Sequence, residues 1–198
     1  MMVQLGNLSI NLLVQTNLLK MLTMKKIYTV ITIFSAALFY SQVAIGKTSV
    51  SNSSVSLEFY DGADNAQGLL LPWVSAENDV QNPVNGTFIF DTTDKKVKVY
   101  DKGVWFDLTR DTTGVVDTSL QDNLAEAAES KVFLGENPTA DTTNGILVLG
   151  DTNKAMILPQ VANPHLTIIN PEPGTMAYDT VSDQLAVYNG TVWSFWKP

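Results

Sequence analysis

Laid against itself at an offset of 88 residues, this 198-residue chain matches over most of its length after position 41. Pro83/Pro171, Gly86/Gly174, Thr87/Thr175, Asp91/Asp179, Thr92/Thr180, Val99/Val187, Tyr100/Tyr188 and Trp105/Trp193 are identical pairs in that register. Upstream the match loosens to offsets of 87 to 89. Val43-Ala-Ile-Gly46 faces Val132-Phe-Leu-Gly135, Ser56-Leu-Glu-Phe59 faces Gly145-Ile-Leu-Val148, and Leu69-Leu-Leu-Pro72 faces Met156-Ile-Leu-Pro159. Such duplication constrains the fold more than composition does, because both copies must bury their apolar surface in the same way.

Each unit closes on one pattern. Residues 87–91 read as a strand, 92–95 as a turn and 96–100 as an alternating, half-buried strand; 101–103 then turn the chain into 104–108. Segments 175–179, 184–188 and 191–196 repeat the layout. Asn189-Gly190 is the strongest hairpin signal, since both residues tolerate positive φ. The expectation is an all-β fold of two tandem β-meander units, 42–108 and 132–198, joined by a linker at 109–131 with one short helix. A single such sheet cannot bury both faces alone, so the units pack on each other, on partner chains, or both. The helix is expected at 119–131, capped by Asp117 or Thr118, with Leu120, Leu124, Ala127 and Ala128 as a narrow apolar stripe. It reads either as a linker lying on a sheet or as a short seam between chains.

The first forty residues carry a different message. Lys20, Lys25 and Lys26 precede an apolar run at 27–40, and no acid occurs there. A positive stretch followed by a 14-residue apolar run reads as a secretory signal peptide at 24–41, and it is short for a membrane span. Residues 1–23 then read as a mis-assigned N-terminal extension, with Met24 as the natural start. The rival reading is a signal anchor using both apolar stretches, which the three lysines interrupt. Cleavage after Ser41 removes three lysines and no acid, so the net charge moves from −8 to −11. The expected product is exported, extracellular or at the cell surface, with periplasmic residence open and no membrane span after cleavage.

Several function classes are disfavoured. With no Cys there is no disulfide framework, thiolate metal site, Cys nucleophile or lipidated cysteine. One His leaves no His-pair zinc site. The acidic balance argues against nucleic acid, which needs a basic footprint. Gly46-Lys47-Thr48 lacks the upstream glycine of a phosphate loop, because Ser stands at position 41. No G-x-S-x-G occurs, and His165 follows Pro164 in an expected loop. No catalytic residue, cofactor or enzymatic activity is expected.

The motifs Gln42-Val-Ala-Ile-Gly-Lys-Thr48, Gly68-Leu-Leu-Leu-Pro72, Asn82-Pro-Val-Asn-Gly86 and Tyr100-Asp-Lys-Gly-Val-Trp105 resemble a widespread exported family of Bacteroidota. Its members open with a "QVGIGTTTP"-like stretch and continue through "GLLLPRM" to "Y-(N/D)-G-x-x-W". Similar segments occur in phage tail fibres, many of them trimeric. The resemblance covers nearly all of 42–197 and implies a tail-fibre-like surface module, a homotrimer and no catalytic residue. Trp73 and Gln160 stand where the family has Arg, and Gly46-Lys-Thr-Ser lacks the usual Thr-Pro. The function expected is structural or adhesive, with a surface glycan or cell-envelope component as partner. The alternative is a soluble monomeric carbohydrate-binding module.

Four groups of residues are candidate sites. Asp91 with Asp94, and Asp179 with Asp183, place paired carboxylates at equivalent turns, where they serve either calcium or the turn backbone. Tyr100, Trp105, Tyr188 and Trp193 recur in register, which favours packing between strands over sugar stacking. Trp73 and Trp196 have no mate in the other copy and are the better candidates for a binding surface. Thr92, Thr112, Thr142 and Thr180 each follow Asp and resemble the O-glycosylation signal of Bacteroidota; the competing reading is turn chemistry alone.

Overall fold

A computed structural model of the chain describes residues 15–28, 42–119, 121–122, 124, 130–136 and 139–197. The chain divides into two compact units, 1–40 and 41–198. Of the first, residues 15–28 form an exposed helix, α1. Most of the expected apolar run at 27–40 lies outside the described residues, as do positions 120, 123 and 125–129 of the expected linker helix. What is described there is a turn: Gln121 and Asp122 donate their N–H to Thr118 O, and Asp117 Oδ1 accepts from Ser119 N. Among the described residues no helix is long and apolar enough to cross a membrane.

The second unit is all-β and keeps the duplication in its topology. The first repeat runs β1 (Val43–Ile45), β2 (Val55–Phe59), β3 (Leu69–Leu70), β4 (Trp73–Val74), a 3-10 turn (Glu77–Asp79), β5 (Phe88–Asp91), β6 (Lys96–Asp101) and β7 (Val104–Asp107). The second runs β8 (Val132–Leu134), β9 (Leu147–Leu149), β10 (Ala155–Ile157), β11 (Gln160–Val161), the short helix α2 (Pro164–Thr167), β12 (Thr175–Asp179), β13 (Gln184–Tyr188) and β14 (Trp193–Trp196). In both repeats the first two strands pair in parallel, and the fourth lies parallel to the first strand of an antiparallel meander.

The turns reverse one expectation. The tight hairpin is Lys102-Gly103, where both residues have positive φ (49° and 87°) as a type I′ turn requires. Of Asn189-Gly190, only Gly190 has positive φ (96°). The Asn189 side chain instead accepts N–H bonds from Thr191 (2.9 Å) and Val192 (2.8 Å), and this widens the loop so that β14 begins at Trp193 rather than 191. Burial drives the difference: Asn189 is enclosed, and a Cβ on Gly190 would lie 1.8 Å from Val115 O. The linker residues pressing on this loop decide its shape.

The third strand of each repeat does not stay at home. β3 pairs antiparallel with β12 of the second repeat, and β10 pairs in parallel with β2 of the first. The tandem units thus exchange strands. Between the meanders lies the core: Phe90 and Val97, opposite each other on β5 and β6, meet Met176 and Val187, opposite each other on β12 and β13, with Leu71 beside them. The contact is staggered. The counterparts of Phe90 and Val97 in the second repeat are Tyr178 and Leu185, and those of Met176 and Val187 in the first are Phe88 and Val99. All four counterparts are only half-buried.

Candidate functional site

The paired-carboxylate turn of the first repeat is built around a lysine. Side chains alternate along β5 and β6, which turns Ile89, Asp91 and Lys98 to the face opposite Phe90. There the buried Lys98 ammonium donates to Asp91 Oδ2 (3.0 Å), Glu77 Oε2 (2.7 Å) and Asp94. Carboxylate oxygens of Glu77, Asp91 and Asp94 lie within 4.8 Å of one another. Burial by itself pushes the Lys98 ammonium down, but hydrogen bonds to Asp94, Glu77 and Asp91 outweigh it and hold the group above the usual lysine value. Burial likewise pushes the Asp91 carboxyl up, and the N–H of Asp94, the Lys98 ammonium and the N–H of Glu77 more than reverse it. The structure therefore brings Asp91 and Asp94 together, as the calcium reading requires, but Lys98 already stands between them. A divalent ion would have to displace it.

The second repeat shows what Asp91 does without that lysine. Asp179 is equally buried, and its Oδ1 accepts from Asn163 N (3.1 Å), Val181 N (3.0 Å) and Ser182 N (3.4 Å). Asp91 Oδ1 accepts the matching bonds from Thr93 N and Asp94 N, and its Oδ2 accepts one from Glu77 N. Asp183 does not join Asp179; it meets the Tyr178 hydroxyl at 3.4 Å. Ala186 replaces Lys98 and Ser182 replaces Asp94 at the 88-residue spacing. The ammonium and its outer acid are lost together, while the turn-capping aspartate remains. Glu77 and Lys98 were missed by sequence reasoning; this paired loss between the copies is the signal that could have found Lys98, and none pointed to Glu77.

The unmatched tryptophans join the repeats. Trp73 packs against Phe90 with ring centroids 6.1 Å apart, and its indole N–H donates to Pro173 O at 2.6 Å. Trp196 donates to Leu108 O, with the Arg110 guanidinium 4.4 Å from its ring centre. Both are half-buried. The recurrent pairs pack across strands in register: Tyr100 on Trp105 at 5.1 Å and Tyr188 on Trp193 at 5.3 Å.

The four Asp-Thr sites share one local geometry. In each, the aspartate Oδ1 accepts the N–H two residues on, closing an Asx turn: Thr93, Thr113, Thr143 and Val181 are the donors. The threonine between is displayed outward at Thr112, Thr142 and Thr180, all exposed. Thr92 is half-buried and donates its hydroxyl to Val74 O.

Lys47, in the apparent phosphate-loop triplet, pairs with the buried Glu58 (2.9 Å) and with Asp61 (3.0 Å). His165 stands edge-on to Phe195, with ring centroids 5.6 Å apart.

The dominant feature is thus a contact between repeats, to which Trp73 and Trp196 both contribute. The family model described as phage tail like trimerisation region matches residues 44–122 and 136–197. Neither the curated proteins nor the solved structures compared with this chain give a match.

Proposed function

Because this chain belongs to the phage tail-like trimerisation region family, we propose that it is a non-enzymatic building block that assembles as a homotrimer on or outside the cell. It is a tail-fibre-like structural protein with an all-β body. The single observation carrying the trimeric reading is that the family match runs through both repeats, including both meanders. The exposed apolar residues Leu70, Val104, Phe106 and Leu147 support it, since such surface on a β-rich protein marks contact with a partner.

The basic and apolar pattern of 20–40 supports export, and the motifs of 42–105 support an origin in Bacteroidota. At the surface the trimer holds or displays an adhesive partner, a glycan or a cell-envelope component. Thr112, Thr142 and Thr180 are its O-glycosylation sites, and the Asx turns that display them support that role.

Chromatography with light scattering on the protein purified after export tests the assembly. A mass of three chains that survives dilution is expected. A monomer at all concentrations removes this reading.

A further inference from the structure

The exchanged third strand has two edges, and among the described residues each copy of it uses only one. Leu71 N donates to Gly174 O at 3.1 Å, directing that edge of β3 to the following repeat's meander. Ala155 N donates to Ser54 O at 2.8 Å, directing an edge of β10 to the preceding repeat's parallel pair. Ala155 stands where Gly68 stands in the first repeat, three places before Leu71. Successive residues of an extended strand point their N–H and C=O to alternate edges, so positions three apart address opposite edges. The same strand type therefore faces backward in one repeat and forward in the other.

Each exchange leaves an open counterpart among the described residues. β2 receives β10 on its outer edge, whereas β9, the equivalent strand, pairs with β8 alone. A two-stranded parallel ribbon of Val132-Phe-Leu134 and Leu147-Val-Leu149 is unusual unless covered, because parallel sheets are ordinarily buried on both faces. Leu147 is 43% exposed and its neighbour Ile146 54%. β12 receives β3 over Thr175 and Met176, which are buried; the equivalent Thr87, just before β5, and Phe88, its first residue, are half-exposed. Gly174 lies against Phe90, where a Cβ would come within 2.8 Å, whereas Gly86 has nothing within 4 Å. The staggered core repeats the asymmetry, for Phe90 and Val97 are fully buried and Tyr178 and Leu185 only half-buried. A contact of this kind is heterologous: it uses different surfaces on its two sides and leaves one of each unused at the ends.

We propose that copies of this chain join head to tail by repeating between chains the strand exchange that joins the two repeats within one chain. The occupant of both open edges is a second copy. β9 of one copy receives β3 of the next in parallel, with Leu69 beside Leu147 and Leu70 beside Val148. β10 of the first copy lies antiparallel to β5 of the next, with Met156 beside Phe88 and Ile157 beside Thr87. These registers are carried over from the pairs Met156–Leu57, Ile157–Glu58, Met176–Leu69 and Thr175–Leu70. Leu147 and Val148 stand for Leu57 and Glu58 because Val132 pairs with Leu147 as Val43 pairs with Leu57, one residue on from the sequence alignment of these strands. Continuity with the contact already present in the chain supports them, as does the apolar character of β9 and of Leu70, which is 50% exposed. The inference rests on the trimeric reading and adds its seam: a heterologous contact makes a ring where its rotation closes, and the trimeric reading sets that ring at three copies.

The chain has no cysteine, so cross-links report only introduced sites. With a short bis-maleimide, the double variant Leu70→Cys/Val148→Cys is expected to give covalent dimers and trimers. Each single variant is expected to stay monomeric on denaturing gels, because a heterologous seam never places a residue beside its own copy. Leu147→Arg, at a position exposed within the chain, is expected to lower the mass from three chains to one while the protein stays folded by circular dichroism. If the wild type is a trimer but the double variant gives no ladder, or the single variants link to themselves, or Leu147→Arg remains trimeric, this seam is wrong and the trimer stands. A monomeric wild type removes both.

Discussion

Trp196 gives its indole N–H to the carbonyl of Leu108, the residue that occupies its own place in the first repeat 88 positions earlier. The bond spans the two meanders at their C-terminal strands, just where the linker leaves the first of them. Trp196→Phe keeps an aromatic face for Arg110 and removes the donor together with part of the ring. Leaving a part-buried carbonyl without its partner costs about 1–2 kcal/mol. Urea unfolding monitored by circular dichroism should show that loss as a lower midpoint at unchanged slope.

Phe90 and Tyr178 occupy the same position in the two repeats, but only Phe90 is wholly enclosed. Phe90→Ala opens a cavity among Val97, Met176 and Val187 and is expected to cost about 3–5 kcal/mol. Tyr178→Ala, on the half-exposed counterpart, should cost clearly less in the separated chain. Equal costs would mean that the stagger between the meanders is misassigned.

Lys98 neutralises carboxylates that otherwise repel one another, so Lys98→Ala strands a buried Asp91 and is expected to cost about 3–5 kcal/mol. Adding Asp94→Ser recreates the second repeat's arrangement and should recover part of the loss. Calcium discriminates further. With the ammonium in place it should leave the thermal midpoint unmoved, whereas in Lys98→Ala it should raise the midpoint.

The same cluster sets a pH window. The Asp91 carboxyl is held below the usual aspartate range, so its contribution is complete above that range and is lost as pH falls through the lowered value. Lys98 is held above the usual 10.5, so its contribution is complete below that value and is lost only as pH rises through the raised one. Thermal unfolding should therefore be nearly flat from about pH 5 to pH 9 and fall in acid. Asp91→Asn should start from a lower midpoint and show a shallower acid limb.

Glycosylation makes a site-resolved prediction. Thr112→Ala, Thr142→Ala and Thr180→Ala should each remove one sugar-sized increment from the intact mass of the exported protein. Thr92→Ala should remove none, because that hydroxyl is half-buried on Val74 O. A wild-type mass matching the bare chain would exclude modification at all four sites.

Much of this architecture was legible in the residues alone. The duplication, the meander strands at 175–179 and 184–188, and the pairing of Tyr100 with Trp105 all follow from spacing and alternation, which are local and survive any arrangement of the rest. The Asx turns at the Asp-Thr sites are local too, since each aspartate reaches only two residues along its own chain. Trp73 and Trp196 lack mates in the other copy, which makes them candidates for a binding surface in the sequence; in the fold each also bonds across to the other repeat.

The tertiary structure decided whatever depends on one repeat meeting the other. Alternation places Lys98 on a face but cannot say that Glu77, 21 residues away, folds over it. Asn189-Gly190 has the composition of a tight turn, yet the linker packed at Val115 opens it into a wider loop. Most decisively, two-residue strands such as β3 carry too few hydrogen bonds to specify a partner by themselves. The edge they join is chosen by which apolar face is already waiting, and for this chain that face lies on the other repeat.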